Sequence, residues 1–138
     1  MKTVIKTKAA GEIIIDSEYI GNKLWNVDSK GETQNYNNHK VKIKSGGLSY
    51  SFDFWGSTMN PEIKTDQENV FAMYCSISDA MAGQQSFEDF CGEFGYDEDS
   101  RSAEKVHRAC EKTYAKVSKV FGDDLYELIN ELSDDFSC

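Results

Sequence analysis

The residues closest in type and spacing to an active site are Asp53 and the run Glu62-Ile63-Lys64. In metal-dependent nucleases two carboxylates hold Mg²⁺ while a lysine helps to orient the attacking water. Here the spacing is short, and Glu62-Ile63-Lys64 follows Pro61 in a stretch that reads as loop rather than strand. Asp97-Glu98-Asp99 places three carboxylates between two helical patterns, as a calcium loop would. An EF-hand starting at Asp97 would need an oxygen ligand at Arg101, a glycine at Ser102 and a glutamate at Arg108. All three fail, so the run reads as the negatively charged start of a helix.

His107 and Cys110 lie one helical turn apart and could join Cys75 and Cys91 around zinc. Paired zinc-ligand spacing is absent, and a core cysteine beside a partly exposed histidine is the simpler reading. With His39 and His107 as the two histidines, no Ser/His/Asp or Cys/His arrangement is marked. A phosphate-binding glycine loop is missing as well, so catalysis would have to run on carboxylates or a metal. The expectation is a non-enzymatic protein without a cofactor.

The elements that must position these residues divide the chain in two. One domain over 1–138 is expected, mainly β over 1–60 and helical and acidic over 61–138. Gly11 to Ile15 ends in a β-branched run and reads as a strand, with Leu24 to Val27 a second short one. Gln34 to His39 reads as a polar loop. Lys40 to Lys44 and Leu48 to Phe54 alternate around Ser45-Gly46-Gly47, which predicts an antiparallel hairpin with Leu48, Tyr50, Phe52 and Phe54 on one face.

Four helical patterns follow. The first covers roughly Asp66 to Met81, with Gly83 just past its end. The second starts at Ser86 as cap, buries Phe87, Phe90, Cys91 and Phe94, and stops at Gly95. The third follows Ser100 and stops at Gly122, and the fourth starts from Asp123 as cap and buries Leu125, Leu128, Ile129 and Leu132. The expected fold is therefore α+β, an N-terminal antiparallel hairpin or small sheet packed against a C-terminal bundle of about four helices.

Charge is placed unevenly. Residues 1–60 hold eight Lys or Arg against six Asp or Glu, whereas 61–138 hold seven against eighteen. Arg101, Lys105, Arg108, Lys112, Lys116 and Lys119 share one face of the third helix and could track a phosphate backbone. Acidic neighbours on the second and fourth helices would offset that stripe through internal pairing. Cys75, Cys91, Cys110 and Cys138 are expected to be reduced, because Lys6 and Lys8 stand where a secretory signal would place its apolar core. A cytoplasmic protein with no membrane span follows.

Phe87-Glu88-Asp89-Phe90-Cys91, then Glu93-Phe94-Gly95-Tyr96-Asp97, Asp99-Ser100-Arg101, Ala103-Glu104 and Ala109-Cys110, form a specific string. It resembles a family of small phage and prophage proteins with the pattern F-E-x-W/F-x-x-E-F/Y-G-Y-D-x-D-S-R-x-A-E…A-C. Gly122 to Glu127, Cys75 to Ala80 and Tyr50 to Trp55 fit further elements of that pattern, so the resemblance covers roughly Val41 to Leu132. It implies a phage or mobile element acting inside a bacterium. Small acidic proteins of such elements often inhibit host defence, anti-CRISPR proteins among them. The expected partner is a bacterial defence complex of the Cas-effector type, contacted by carboxylates that compete with nucleic acid for Lys and Arg. The carboxylates expected to make that contact are Asp97, Glu98, Asp99, Asp123, Asp124, Glu127, Glu131, Asp134 and Asp135. The alternatives are a nucleic-acid-binding module built on the basic stripe and the metal nuclease.

Overall fold

The computed structural model describes residues 2–21, 38–46, 48–54 and 63–136, with side chains described for 2–19, 39–46 and 63–136. Leu24 to Val27, Pro61 and Glu62 lie outside the described residues, as does the direction of the side chains of 48–54.

Four strands form one antiparallel sheet in chain order: β1 (Lys2–Thr7), β2 (Gly11–Gly21), β3 (Asn38–Ser45) and β4 (Leu48–Phe54). The expected hairpin is β3 and β4, with Val41 opposite Phe52 and Ile43 opposite Tyr50 in the backbone register. β1 is a strand that local pattern does not predict. Its Lys-Thr-Val-Ile-Lys-Thr pattern carries too little apolar alternation to stand out, and it is a strand because β2 offers it a partner, Thr3 opposite Ile15 and Ile5 opposite Ile13. The expected loop at Gln34 to His39 is corrected at its end: Asn38 and His39 already belong to β3, and His39 is fully buried.

Strand alternation sorts the two faces of the sheet. Ile13, Ile15, Val41 and Ile43 point inward and are essentially inaccessible to water, each burial contributing roughly 1.5–3 kcal/mol. On the outer face Lys2, Asp16 and Lys42 stand abreast, as do Lys6 with Glu12 and Glu18 with Lys40. Four lysines of the sheet thus stand opposite carboxylates of neighbouring strands.

The helices are α1 (Asp66–Ala80), α2 (Phe87–Phe94), α3 (Arg101–Phe121) and α4 (Leu125–Leu132). The 3₁₀ turn Met81–Gln84 continues α1, and a second, Gly122–Asp124, joins α3 to α4. Continuous helical segments therefore number three among the described residues, 66–84, 87–94 and 101–132, instead of about four separate helices. Gly122 adopts φ 54°, so the chain turns within one short 3₁₀ segment rather than through a loop. Asp123 is not the cap of α4, since it lies inside that turn and α4 starts without a side-chain cap.

The other caps follow side-chain chemistry. Thr65 accepts from the backbone N–H of Glu68, Ser86 from Asp89 and Ser100 from Ala103, each at 3.1 Å. Gly95 ends α2 at φ 73°, a left-handed conformation that glycine adopts without strain.

The main core lies between the inner face of the sheet and α1, closed by α3 and α4. Val70, Met73, Tyr74 and Ile77 of α1 meet the sheet residues, joined by Val117, Phe121, Leu125, Leu128 and Leu132. Thr3 fixes β1 to the start of α1: Asn69 Nδ2 donates to Thr3 Oγ1, which donates to Asp66 Oδ1, both at 2.8 Å. A separate, smaller cluster of Phe90, Cys91, Val106 and Cys110 binds α2 to α3.

The expectation of reduced cysteines is corrected at Cys75, which is disulfide-bonded. Pairing of thiols depends on Cα separations of about 4.4–6.8 Å, which linear spacing along the chain does not report. Cys91 and Cys110 are free and buried.

Candidate functional site

A cavity of about 560 Å³ opens where the end of α1 and its 3₁₀ turn face α2 and α3. That volume lies within the usual range of small-molecule sites. Asp79, Gln84, Gln85, Phe90, Glu93, Phe94, Tyr96, Val106 and Cys110 are among its lining residues. Helical spacing explains the assembly. Ile77 enters the core, while Asp79, two residues later, turns to the side that faces α3. Phe90, Glu93 and Phe94 are three and four residues apart and so share one side of α2.

The site depends on one glycine. A Cβ on Gly83 would lie 2.6 Å from the carbonyl carbon and oxygen of Cys110 and from the Glu111 nitrogen. The turn after α1 therefore packs backbone to backbone on α3. Gly83 is thus more than the helix stop that its place after Met81 suggests.

Burial pushes the Asp79 carboxyl up to about 7. Its position in the last turn of α1, facing the negative end of the helix dipole, favours the neutral form further. Burial likewise pushes the Cys110 thiol up, helped by the nearby carboxylates of Asp79 and Glu111. The Cys91 thiol is raised by burial, then by Glu98 and Asp97. These thiols are protonated and sheltered, the opposite of an activated nucleophile.

The rings form a connected wall. Phe90 lies with its centroid 5.1 Å from Phe94 and 5.2 Å from Tyr96, and Phe94 lies 6.2 Å from Tyr96. His107 backs this wall, 5.0 Å from Phe90 and 5.7 Å from Phe87. His107 is buried rather than partly exposed. Its Nε2–H donates to the Gln85 carbonyl at 2.7 Å, which ties the cleft rim to α3. Gln85 Nε2 donates to Glu93 Oε2, and Gln85 Oε1 is buried without a partner among the described residues.

Residues from three separate stretches of the chain come together here. Asp79, Phe90, Glu93, Phe94, Tyr96 and Cys110 line the same cavity. In comparisons with known proteins, no family model, curated protein or solved structure matches the chain.

The carboxylates singled out from the sequence do not form one patch. Asp97, Glu98 and Asp99 lie exposed before α3, and Asp123, Asp124 and Glu127 lie exposed after it. A 21-residue helix separates the two groups, a span of roughly 30 Å. Asp134 and Asp135 extend the second group and are also exposed. Asp97 Oδ1 accepts from the Asp99 N–H at 3.0 Å, an internal turn contact. Asp123 also lines a second cavity of about 350 Å³ beside Tyr114 and Tyr126.

Glu131 belongs to a different task. Its Oε1 accepts from the backbone N–H groups of Lys8 and Ala9 at 3.0 Å each, with Oε2 3.2 Å from the Lys8 nitrogen. A half-buried carboxylate thus holds the β1–β2 turn onto α4, and it is occupied within the protein.

The basic stripe of α3 is exposed at all six positions. Arg108 pairs with Glu104 of the same helix. Arg101, Lys105, Lys112 and Lys119 form no ion pair with the described residues, contrary to the expected pairing with α2 and α4. Between the two acidic groups therefore runs a basic ridge of roughly 27 Å.

No group of three or more His, Cys, Asp or Glu among the described residues is placed to hold a metal ion. The disulfide of Cys75 removes that sulfur from any thiolate ligand set with His107. The side chains of Asp53 and Glu62 lie outside the described residues, while Lys64 is exposed. Among the described residues no helix is long and apolar enough to cross a membrane.

Proposed function

We propose that this is a non-enzymatic binding protein of a phage or mobile element that inhibits a bacterial defence complex of the Cas-effector type. The observation that carries the reading is the exposure of eight carboxylates in two groups at opposite ends of α3: Asp97, Glu98 and Asp99, then Asp123, Asp124, Glu127, Asp134 and Asp135. Such groups compete for lysines and arginines that otherwise hold phosphates, through charge-assisted hydrogen bonds. The phage context rests on the resemblance of the Phe87 to Cys110 string. Affinity capture from a defence-competent bacterial lysate tests the reading, using the wild-type chain and a variant with Asp123, Asp124 and Glu127 neutralised. Capture of a nucleic-acid-guided complex by the wild type, lost in the variant and reversed by salt, supports it. Absence of capture, together with no protection of phage against CRISPR immunity, overturns it.

A nucleic-acid-binding module is favoured by a different observation, the exposure of all six basic side chains of α3. Binding there would release counterions and weaken steeply with salt. A mobility shift with duplex DNA or RNA, abolished by charge reversal at Lys105, Lys112 and Lys119, would select this reading over the first.

A further inference from the structure

The cleft beside Asp79 combines features that the acidic ends of α3 lack. Its carboxyl group is set into a wall of side chains instead of open solvent. Three aromatic rings stand within ring-contact distance of one another, and Phe94 keeps 43% of its surface accessible. Glu93 adds a second carboxylate on the opposing helix, and among the described residues the lining includes no lysine or arginine. Gln85 adds a buried acceptor oxygen with no donor among the described residues. The cavity therefore offers ring faces, negative charge and acceptors, and it places no cation of its own among them.

We propose that this cleft binds a small organic cation, an alkylammonium group seated against Phe94 and Tyr96 with Asp79 as its counter-ion. Ring faces attract a cation through their quadrupole, most strongly where water is excluded. A quaternary ammonium suits the site because its charge is spread over methyl groups that also bury apolar surface. A simple metal cation does not, since it demands several oxygen ligands at short distance. The occupant is distinct from the macromolecular partner proposed above, and the two readings stand or fall separately.

Ionisation of Asp79 then controls affinity. The titratable groups facing it are Glu93 of α2, Tyr96 beyond α2 and Cys110 of α3, with His107 and Glu111 flanking Cys110. Tyr126 of α4 reaches the rim, where its hydroxyl donates to Gln84 Oε1 at 2.6 Å. The 3₁₀ turn contributes no titratable side chain. Because burial holds Asp79 near 7, its charge develops between about pH 6 and about pH 8.

The test is an NMR titration of the full chain with choline and with its neutral isostere 3,3-dimethylbutan-1-ol. At about pH 8 choline should bind at least about fivefold tighter than the alcohol, with shifts at Asp79, Phe94 and Tyr96. That preference should shrink towards about pH 5.5 as the carboxyl is protonated. Asp79→Asn should bring choline to the level of the alcohol and remove the pH dependence. Phe94→Ala, at an exposed position that leaves the core intact, should weaken choline several-fold. Equal binding of the two probes at about pH 8 overturns the proposal. So does a choline preference that survives in Asp79→Asn, or shifts confined to Asp123, Asp124 and Glu127.

Discussion

Gly83 and Cys110 pack backbone against backbone, so closely that a single added carbon at Gly83 would meet the Cys110 carbonyl at 2.6 Å. That contact sets the distance between the turn after α1 and the middle of α3, and with it the width of the Asp79 cleft. Neither atom group can rotate away, since both belong to main chain inside or beside helices.

Gly83→Ala should therefore destabilise the protein by about 1–3 kcal/mol, the usual cost of overpacking. Chemical denaturation should show a lower midpoint with an unchanged slope. NMR shifts should spread along the Cys110 turn of α3. A stability within about 0.5 kcal/mol of wild type would show that the contact relaxes without cost.

Asp79 imposes a pH dependence whose sign follows from proton binding. Its folded-state carboxyl, raised to about 7 from 3.8, holds a proton that the unfolded chain has already released. Between about pH 4 and about pH 7 the folded state binds more protons than the unfolded state, so stability falls as pH rises. Asp79→Asn should flatten that slope and stabilise the protein by roughly 2 kcal/mol at about pH 8, the full linkage value being reduced by partial access to water. Urea denaturation of both forms across this range gives the comparison.

Glu131→Ala should cost about 2 kcal/mol, because two backbone donors of the β1–β2 turn lose a charged acceptor. Neutralising Asp123 or Asp124, which are exposed, should change stability by less than about 0.5 kcal/mol. Thermal melts of the single variants separate the structural carboxylate from the surface ones. Equal effects at all three positions would contradict the assignment of Glu131.

Cysteine accessibility should divide sharply. Cys91 and Cys110 are each about 2% exposed or less, and burial raises both thiols above their ordinary range. Alkylation followed by peptide mapping should leave both unmodified in the native protein and label both after denaturation. Cys75 should need denaturant and reductant together, because it is disulfide-bonded. Labelling of Cys75 in denaturant alone would rule that bond out.

Much of the helical half was legible in one dimension because its signals are local. A hydroxyl at Ser86 or Ser100 can cap only the helix that begins beside it, and Gly95 and Gly122 mark stops by their own backbone freedom. The hairpin of β3 and β4 was legible for the same reason. β1 was not, since its strand state depends on pairing with β2 rather than on its own pattern. The candidate contact residues were read from charge alone, which marked Glu131 and Asp124 identically. One of them turned out to clamp a turn 122 residues away in sequence, the other to lie in solvent.

The sequence by itself determined the α+β class, most helix boundaries, the acidic balance and much of the apolar faces, all set by neighbours within a few positions, though Phe94, expected in the core, stands 43% exposed. Tertiary structure alone decided which of those residues meet. It brought Asp79, Phe90, Tyr96 and Cys110 to one cavity, held the two acidic groups beyond opposite ends of α3, and placed the exposed basic side chains of that helix between them. Such placements depend on long-range packing, where one glycine's missing carbon fixes a distance that no local pattern encodes.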